Sequence, residues 1–116
     1  MYTKQQQLGK SKNTKVINRQ KDAEWSLKIK ELYGFKCEIC GKGSNQIRLN
    51  THHIFSRANR MLRWDIDNGC CLCSSHHTLG NFSAHKSPML FIEFIREKRG
   101  EEWYQRLRDK ARILRA

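Results

Sequence analysis

The sequence has 116 residues, of which 23 are Lys or Arg and 11 are Asp or Glu, so its formal net charge is +12. A chain of this length forms one small domain, and such a domain gains from a metal or disulfide that supplements its core. The basic balance points towards polyanions, nucleic acid above all. No apolar run approaches the length of a membrane span and no signal peptide is visible, so we expect a cytoplasmic protein without membrane contact.

The first 21 residues contain six basic side chains and no acid. This composition predicts a flexible basic arm over residues 1–21, which either tracks a phosphate backbone or has no specific role. From Asp22 onward, apolar residues recur at helical spacing and predict a short amphipathic helix that Gly34 ends. Its apolar stripe consists of Trp25, Ile29, Leu32 and Tyr33. Residues 22–116 are therefore assigned to the folded domain.

Two pairs of metal-binding residues, Cys37/Cys40 and Cys73/His76, have two residues between partners. Each short pair forms a knuckle that presents both side chains to one ion, and together the pairs complete a Cys3His shell for a structural Zn²⁺. An odd count of five cysteines favours reduced thiols over disulfides. The remaining Cys70 and Cys71 are interpreted as small buried hydrophobes, although either thiol could replace one in the knuckle.

Between the knuckles, the sequence predicts a β-hairpin whose short strands, 47–49 and 51–55, join near Asn50. Adjacent residues of a strand point to opposite faces of the sheet. His52 and His53 therefore cannot easily play the same part: one can hold a metal while the other faces the substrate or the adjoining loop. Beyond the hairpin, the sequence predicts a loop over residues 56–67 and a turn at Asn68-Gly69.

The polar residues that the structural zinc leaves unused predict a second metal centre. They are His52, His53, Asn68 and His77. A divalent ion held by imidazoles can act as a Lewis acid on a phosphate and its leaving group. A neutral histidine that is not a ligand can take a proton from water, because its ordinary pKa lies near 6.5. These residues are sufficient for phosphodiester hydrolysis.

The remaining sequence predicts three helical segments. A short helix follows Cys73 and ends at Gly80, and Ser87-Pro88 has the N-cap and first-turn pattern of a longer helix that ends at Gly100. A last helix begins at Glu101, where acidic residues favour the helix N-terminus. The apolar stripes of the two longer helices are Leu90, Phe91, Phe94 and Ile95, and Trp103, Leu107, Ala111 and Leu114.

The knuckles, the double histidine, Asn68 and His77, in this order, resemble the HNH endonuclease family, in particular its small bacteriophage members. The resemblance covers about residues 37–90. It implies a small α+β fold with a ββα-metal core and a structural zinc knuckle, flanked by helices. It also implies an enzyme that hydrolyses phosphodiester bonds in DNA, by nicking or double-strand cleavage, and leaves a 5′-phosphate and a 3′-hydroxyl.

By this resemblance, His53 is the general base, and His52 and His77 hold the catalytic metal. Asn68 would brace the loop that orients the base. The family usually has a cysteine where His76 stands, a change that zinc accepts. The catalytic ion would be Mg²⁺, Mn²⁺, Ni²⁺ or Zn²⁺. Its third ligand stays open between Asn81, His85 and water, with a core or capping role favoured for His85.

Double-stranded DNA is the expected partner, contacted by four arginines that flank the polar site: Arg48, Arg57, Arg60 and Arg63. The resemblance also implies either a role beside a phage terminase or other packaging proteins, or a role as a homing or recombination enzyme. The main alternative is a non-catalytic zinc-dependent nucleic-acid-binding module. That alternative explains the charge and the knuckles, but it gives His53 no task.

Overall fold

The fold is a small α+β arrangement built around one two-stranded antiparallel sheet. The computed structural model describes residues 4–113, with the side chains of residues 13–112. In chain order its elements are α1 (Lys4–Leu32), β1 (Leu49–His53), a 3-10 turn (Ile66–Asn68), β2 (Gly69–Cys73), a wide helical turn (Ser75–Leu79), α2 (Pro88–Arg99) and α3 (Glu101–Ile113). No helix within residues 4–113 combines the length and apolar character that crossing a membrane requires.

Helix α1 is much longer than the sequence predicted. It begins at Lys4 rather than near Asp22, so residues 4–21 are helical where a flexible arm was expected. The reason is local, because Lys, Gln and Arg are good helix formers and make up ten of the 18 residues in this stretch, which contains no proline. A scarcity of apolar residues limits how a helix packs, but it does not prevent the backbone from becoming helical.

Only two of the four residues in the predicted apolar stripe are buried. Trp25 and Ile29 are buried against the sheet, whereas Tyr33 is half-buried and Leu32 is exposed. The Trp25 indole Nε1–H also donates to the carbonyl of Asp65 at 2.8 Å. Trp25 therefore anchors α1 to the sheet and to the segment that contains Asp65.

The strands pair differently from the prediction. β1 lies antiparallel to β2, with Leu49 opposite Cys73 and His53 opposite Gly69. The predicted hairpin within residues 47–55 is therefore wrong, whereas the predicted turn at Asn68-Gly69 lies where the 3-10 turn ends at Asn68 and β2 begins at Gly69. All five residues of β2 are buried. Such a strand lacks the apolar and polar alternation by which a half-buried strand is recognised.

A buried ion pair joins the end of α2 to the first knuckle. The Arg99 guanidinium donates to both carboxylate oxygens of Glu38, through Nε at 2.7 Å and Nη2 at 2.6 Å. The exposed fractions of the two side chains are 9% and 0%. Arg99 Nη2 also donates to the carbonyl of Gly69 at 2.7 Å, so one side chain connects α2, β2 and the knuckle.

The two C-terminal helices follow the prediction. Their buried residues are Phe91, Ile95, Trp103 and Leu107, while Leu90 is exposed and Leu114 lies outside the described residues. Gly100 separates the helices with a φ of 97°, a conformation that favours glycine. Ser87 does not cap α2 through its side chain; its hydroxyl instead donates to the carbonyl of Asn81 at 2.6 Å.

Gly69 is required where α1 crosses the start of β2. A Cβ at this position would lie 2.4 Å from Ile29 Cδ1 and 2.7 Å from Trp25 Cζ2, closer than packed carbons approach. We expect Gly69→Ala to lower the free energy of unfolding by about 1–3 kcal/mol through overpacking. Chemical denaturation measures this value.

The companion substitution is Ile29→Ala, which removes the nearest clashing carbon atoms. The double variant should lose less stability than the sum of the two single variants. Simple additivity, or an undisturbed Gly69→Ala protein, would show that this contact does not limit the packing of α1.

Candidate metal centres

The first cluster contains the four residues that the sequence assigned to structural zinc. The ligand atoms of Cys37, Cys40, Cys73 and His76 all lie within 4.8 Å of one another. The two thiols of Cys40 and Cys73 are 3.9 Å apart, and His76 Nδ1 lies 3.3 Å from Cys73 Sγ and 3.7 Å from Cys37 Sγ. Tetrahedral zinc with bonds of about 2.3 Å to sulfur needs similar separations. The cluster could therefore bind a structural metal such as zinc.

The environment of this cluster favours thiolate at one ligand. Burial acts to raise the pKa of Cys37, but N–H donors of the Cys40, Cys73 and Ile39 backbone outweigh it, and the net pKa is lowered. A lowered pKa helps metal binding, because the thiolate is the form that binds.

The two cysteines outside the cluster lie in the core, as predicted. Cys70 and Cys71 are fully buried on β2, and burial raises the pKa of the Cys71 thiol to about 11. Burial likewise raises the pKa of Cys70, whose sulfur lies 3.6 Å from Arg99 Nη2. Both residues should therefore remain protonated thiols at neutral pH.

The second cluster joins three histidines from separate parts of the chain. His52 lies on β1, His77 on the helical turn after β2, and His85 in the segment before α2. Their ring nitrogens all lie within 4.8 Å of one another, and the Nε2 atoms of His77 and His85 are 3.1 Å apart. Three convergent imidazoles could hold one divalent ion. The sequence predicted His52 and His77 here, but it favoured a core or capping role for His85, which is exposed beside them.

The surroundings of His52 and His77 favour the neutral form of their imidazoles. Burial, with smaller contributions from the neighbouring His77 and His85, lowers the pKa of His52 to about 3. Burial also lowers the pKa of His77, with His85 again contributing. Neutral imidazole is the form that binds metals, so the side chains of His52 and His77 are suited to be ligands at neutral pH.

The two clusters share one stretch of backbone. His76 belongs to the first cluster and His77, the next residue, belongs to the second. The N–H groups of Ala84 and His85 donate to the carbonyls of His76 and His77, at 2.8 and 3.1 Å. Holding His76 in place therefore also positions two of the three histidines. The sequence could not reveal these two hydrogen bonds, because they form only when residues 80–85 fold back against residues 76 and 77.

His53 lies on the opposite face of β1, as the alternation of a strand predicted. Its ring stacks on Trp25 with centroids 4.0 Å apart and planes 11° apart, and its Nε2 lies 2.9 Å from the carbonyl oxygen of Arg63. A carbonyl only accepts, so Nε2 carries the hydrogen and Nδ1 carries the lone pair. Burial lowers the pKa of His53, although the Arg63 carbonyl and the Asp22 carboxylate act to raise it.

An open groove of about 600 Å³ brings these histidines together. It is lined by all three residues of the histidine cluster, by His53, and by Arg57 from the loop after β1. We call this concavity the histidine groove. A phosphate group entering it meets a cluster of imidazoles, a neighbouring neutral histidine and a guanidinium.

Asn68 is fully buried and makes three side-chain hydrogen bonds. Its Oδ1 accepts from the N–H of Phe55 at 2.7 Å, and its Nδ2 donates to the carbonyls of Phe55 and Leu62, at 3.0 and 2.9 Å. These bonds hold the loop after β1 against the 3-10 turn. Because the same loop carries the Arg63 carbonyl that contacts His53, Asn68 acts on His53 only through the loop.

The four predicted DNA contacts divide into two kinds. Arg48, Arg57 and Arg60 are exposed. Arg63 instead forms a bidentate ion pair with Asp22, through Nε at 2.9 Å and Nη2 at 2.7 Å. Its guanidinium is engaged within the protein, so the prediction that Arg63 contacts phosphate loses its basis.

Comparison of the chain with family models, with curated proteins and with solved structures finds no match in any of the three. A function must therefore be inferred from the residues themselves. They comprise a Cys3His cluster, a three-histidine cluster and a neutral histidine that faces the same groove.

The Cys3His cluster yields a test with a matched control. Cys37→Ser removes a ligand, so we expect the protein to lose its bound zinc and to unfold at lower temperature. Cys71→Ala removes a buried thiol that lies outside the cluster, and it should retain zinc. Metal content by mass spectrometry and thermal unfolding measure both effects. Equal zinc content in the two variants would show that Cys37 is not a ligand.

Proposed function

We propose that the protein is a metal-dependent endonuclease of the HNH type that hydrolyses phosphodiester bonds in DNA. One observation carries the proposal: three imidazoles converge within 4.8 Å, and the histidine next to His52 in sequence lines the same groove. Double-stranded DNA as the partner is supported by the net charge of +12.

Each histidine has a role that follows from its contacts. His52, His77 and His85 would hold a divalent ion, which adds His85 to the pair that the sequence favoured. His53 is the proposed general base, because its Nε2–H is committed to the Arg63 carbonyl and its Nδ1 lone pair is available. Trp25 stacks on the His53 ring and restricts its rotation.

In the proposed reaction, His53 Nδ1 takes a proton from a water molecule while the water oxygen attacks phosphorus. The bond between phosphorus and O3′ breaks, O3′ keeps the electron pair, and a solvent water supplies its proton. The products are a 5′-phosphate and a 3′-hydroxyl. A divalent ion on the imidazoles supplies Lewis-acid stabilisation of the phosphate and of the departing oxygen. Asn68 supports the reaction by holding the loop that contacts His53.

The alternative of a non-catalytic zinc-dependent nucleic-acid-binding module accounts for the same charge and the same Cys3His cluster. It leaves the histidine cluster and His53 without a function. The role beside a terminase or other packaging proteins stays a prediction from the family resemblance, as do the cytoplasmic location and the identity of the catalytic ion.

Plasmid cleavage tests the proposal directly. We expect the protein to nick or cut supercoiled DNA in a series of Mg²⁺, Mn²⁺, Ni²⁺ and Zn²⁺. His53→Ala removes the base and should slow cleavage by about 100-fold or more. The variant should keep its structural zinc, because His53 lies outside both clusters.

His76→Cys is the control for the zinc site, since zinc accepts thiolate in place of imidazole. This control should retain both zinc and cleavage. Wild-type cleavage by His53→Ala would refute the assigned base. A wild-type protein that binds DNA but cuts none with any of the four ions would favour the binding module instead.

A further inference from the structure

A second concavity adjoins the histidine groove and is strongly basic. It lies between α1 and the loop after β1, and its volume is about 330 Å³. Its cationic walls are Lys15 and Arg19 from α1 and Arg57 and Arg63 from the loop. We call it the basic groove. Arg57 lines both concavities, so they meet at this side chain.

The charge of the basic groove is largely unopposed. Its one acid, Asp22, is already paired with Arg63. Lys15, Arg19 and Arg57 are exposed, and within the described side chains none of them forms an ion pair. By contrast, Arg99 and Lys110 pair with carboxylates. Three unpaired cations beside a candidate phosphodiester site are suited to bind phosphates.

The ion pair at the end of the groove holds its shape. Asp22 accepts two bonds from Arg63 and a third from the Trp64 indole Nε1–H at 2.8 Å, which fastens α1 to the loop. Lys15 and Arg19 are four residues apart, so they lie on one face of the helix. Their positions are about 6 Å apart along the helix axis. This distance is close to the rise of two nucleotide steps of one strand, about 7 Å along a duplex axis.

The aromatic residues of this region are unsuited to binding single strands. Single-strand binders stack bases on open aromatic rings. The Trp64 ring is approached by Lys21 Nζ at 4.8 Å and by the Arg63 guanidinium at 5.4 Å, and its Nε1–H is bonded to Asp22. Contact with the backbone of a duplex therefore fits the surface better than stacking of bases.

We infer that Lys15, Arg19 and Arg57 bind backbone phosphates of duplex DNA and lead the duplex into the histidine groove. In this arrangement the Asp22–Arg63 pair maintains the groove and makes no phosphate contact. The inference rests on the proposed function for the kind of substrate. It assigns part of the DNA-binding surface to α1, which the sequence left as an arm that either tracks a phosphate backbone or has no specific role.

Salt-dependent binding tests the inference in a His53→Ala background, where the DNA stays intact. The slope of log K against log salt is negative, and each lost phosphate contact reduces its magnitude by about 0.9. Lys15→Ala combined with Arg19→Ala should therefore reduce the magnitude of the slope by about 1.8. The matched control is Lys28→Ala with Lys42→Ala, which removes the same charge at exposed positions outside both grooves and should leave the slope unchanged.

Equal slopes for the groove variant and its control would overturn the inference, because net charge alone would then govern binding. Competition in which single strands displace the duplex more effectively than unlabelled duplex would also overturn it. Failure of the nuclease proposal has a separate readout. A wild-type protein that cuts no DNA, while the two variants differ in slope as expected, refutes the nuclease and supports the basic groove.

Discussion

The structure depends on bringing two distant knuckles, 37–40 and 73–76, to one point. A domain of 116 residues has a limited apolar core, so a four-ligand metal shell is an effective means of closing such a long loop. The Glu38–Arg99 pair adds a second tie to the first knuckle, since both side chains are buried and each would be costly to leave alone. The ion pair and the candidate metal shell therefore converge on β2 and its neighbours.

The geometry of the Cys3His cluster also affects the histidine cluster, because one peptide bond joins a member of each. His76 and His77 are consecutive, so a metal held by the first residue sets the direction of the second. The hydrogen bonds from residues 84 and 85 extend this order to His85. On β1, strand alternation then separates His52, which faces the cluster, from His53, which faces Trp25 and the Arg63 carbonyl. The Cys3His cluster and the histidine cluster thus use adjacent residues but have no ligand in common.

Much of the candidate site could be predicted, because its signals are short in range. Ligand spacing within each knuckle, the alternation of His52 and His53, and the glycine between the last two helices are local features. The pairing of β1 with β2 was missed, because a fully buried strand has no alternation. Membership of His85 in the cluster and the bond between Glu38 and Arg99, 61 residues apart, depend on tertiary packing that no local pattern encodes. The helical conformation of residues 4–21 was missed for a local reason, because the polar composition of this segment was given more weight than the helix propensity of its residues.

The central claim is that the chain keeps two chemically different metal sites on either side of one peptide bond. X-ray absorption at the zinc and nickel edges, on protein loaded with zinc and then with Ni²⁺, measures both sets of ligands. The account predicts sulfur with one imidazole around zinc, and imidazoles without sulfur around nickel. His85→Ala should remove one imidazole at the nickel edge only. Sulfur neighbours around nickel, or no bound nickel at all, would contradict the account.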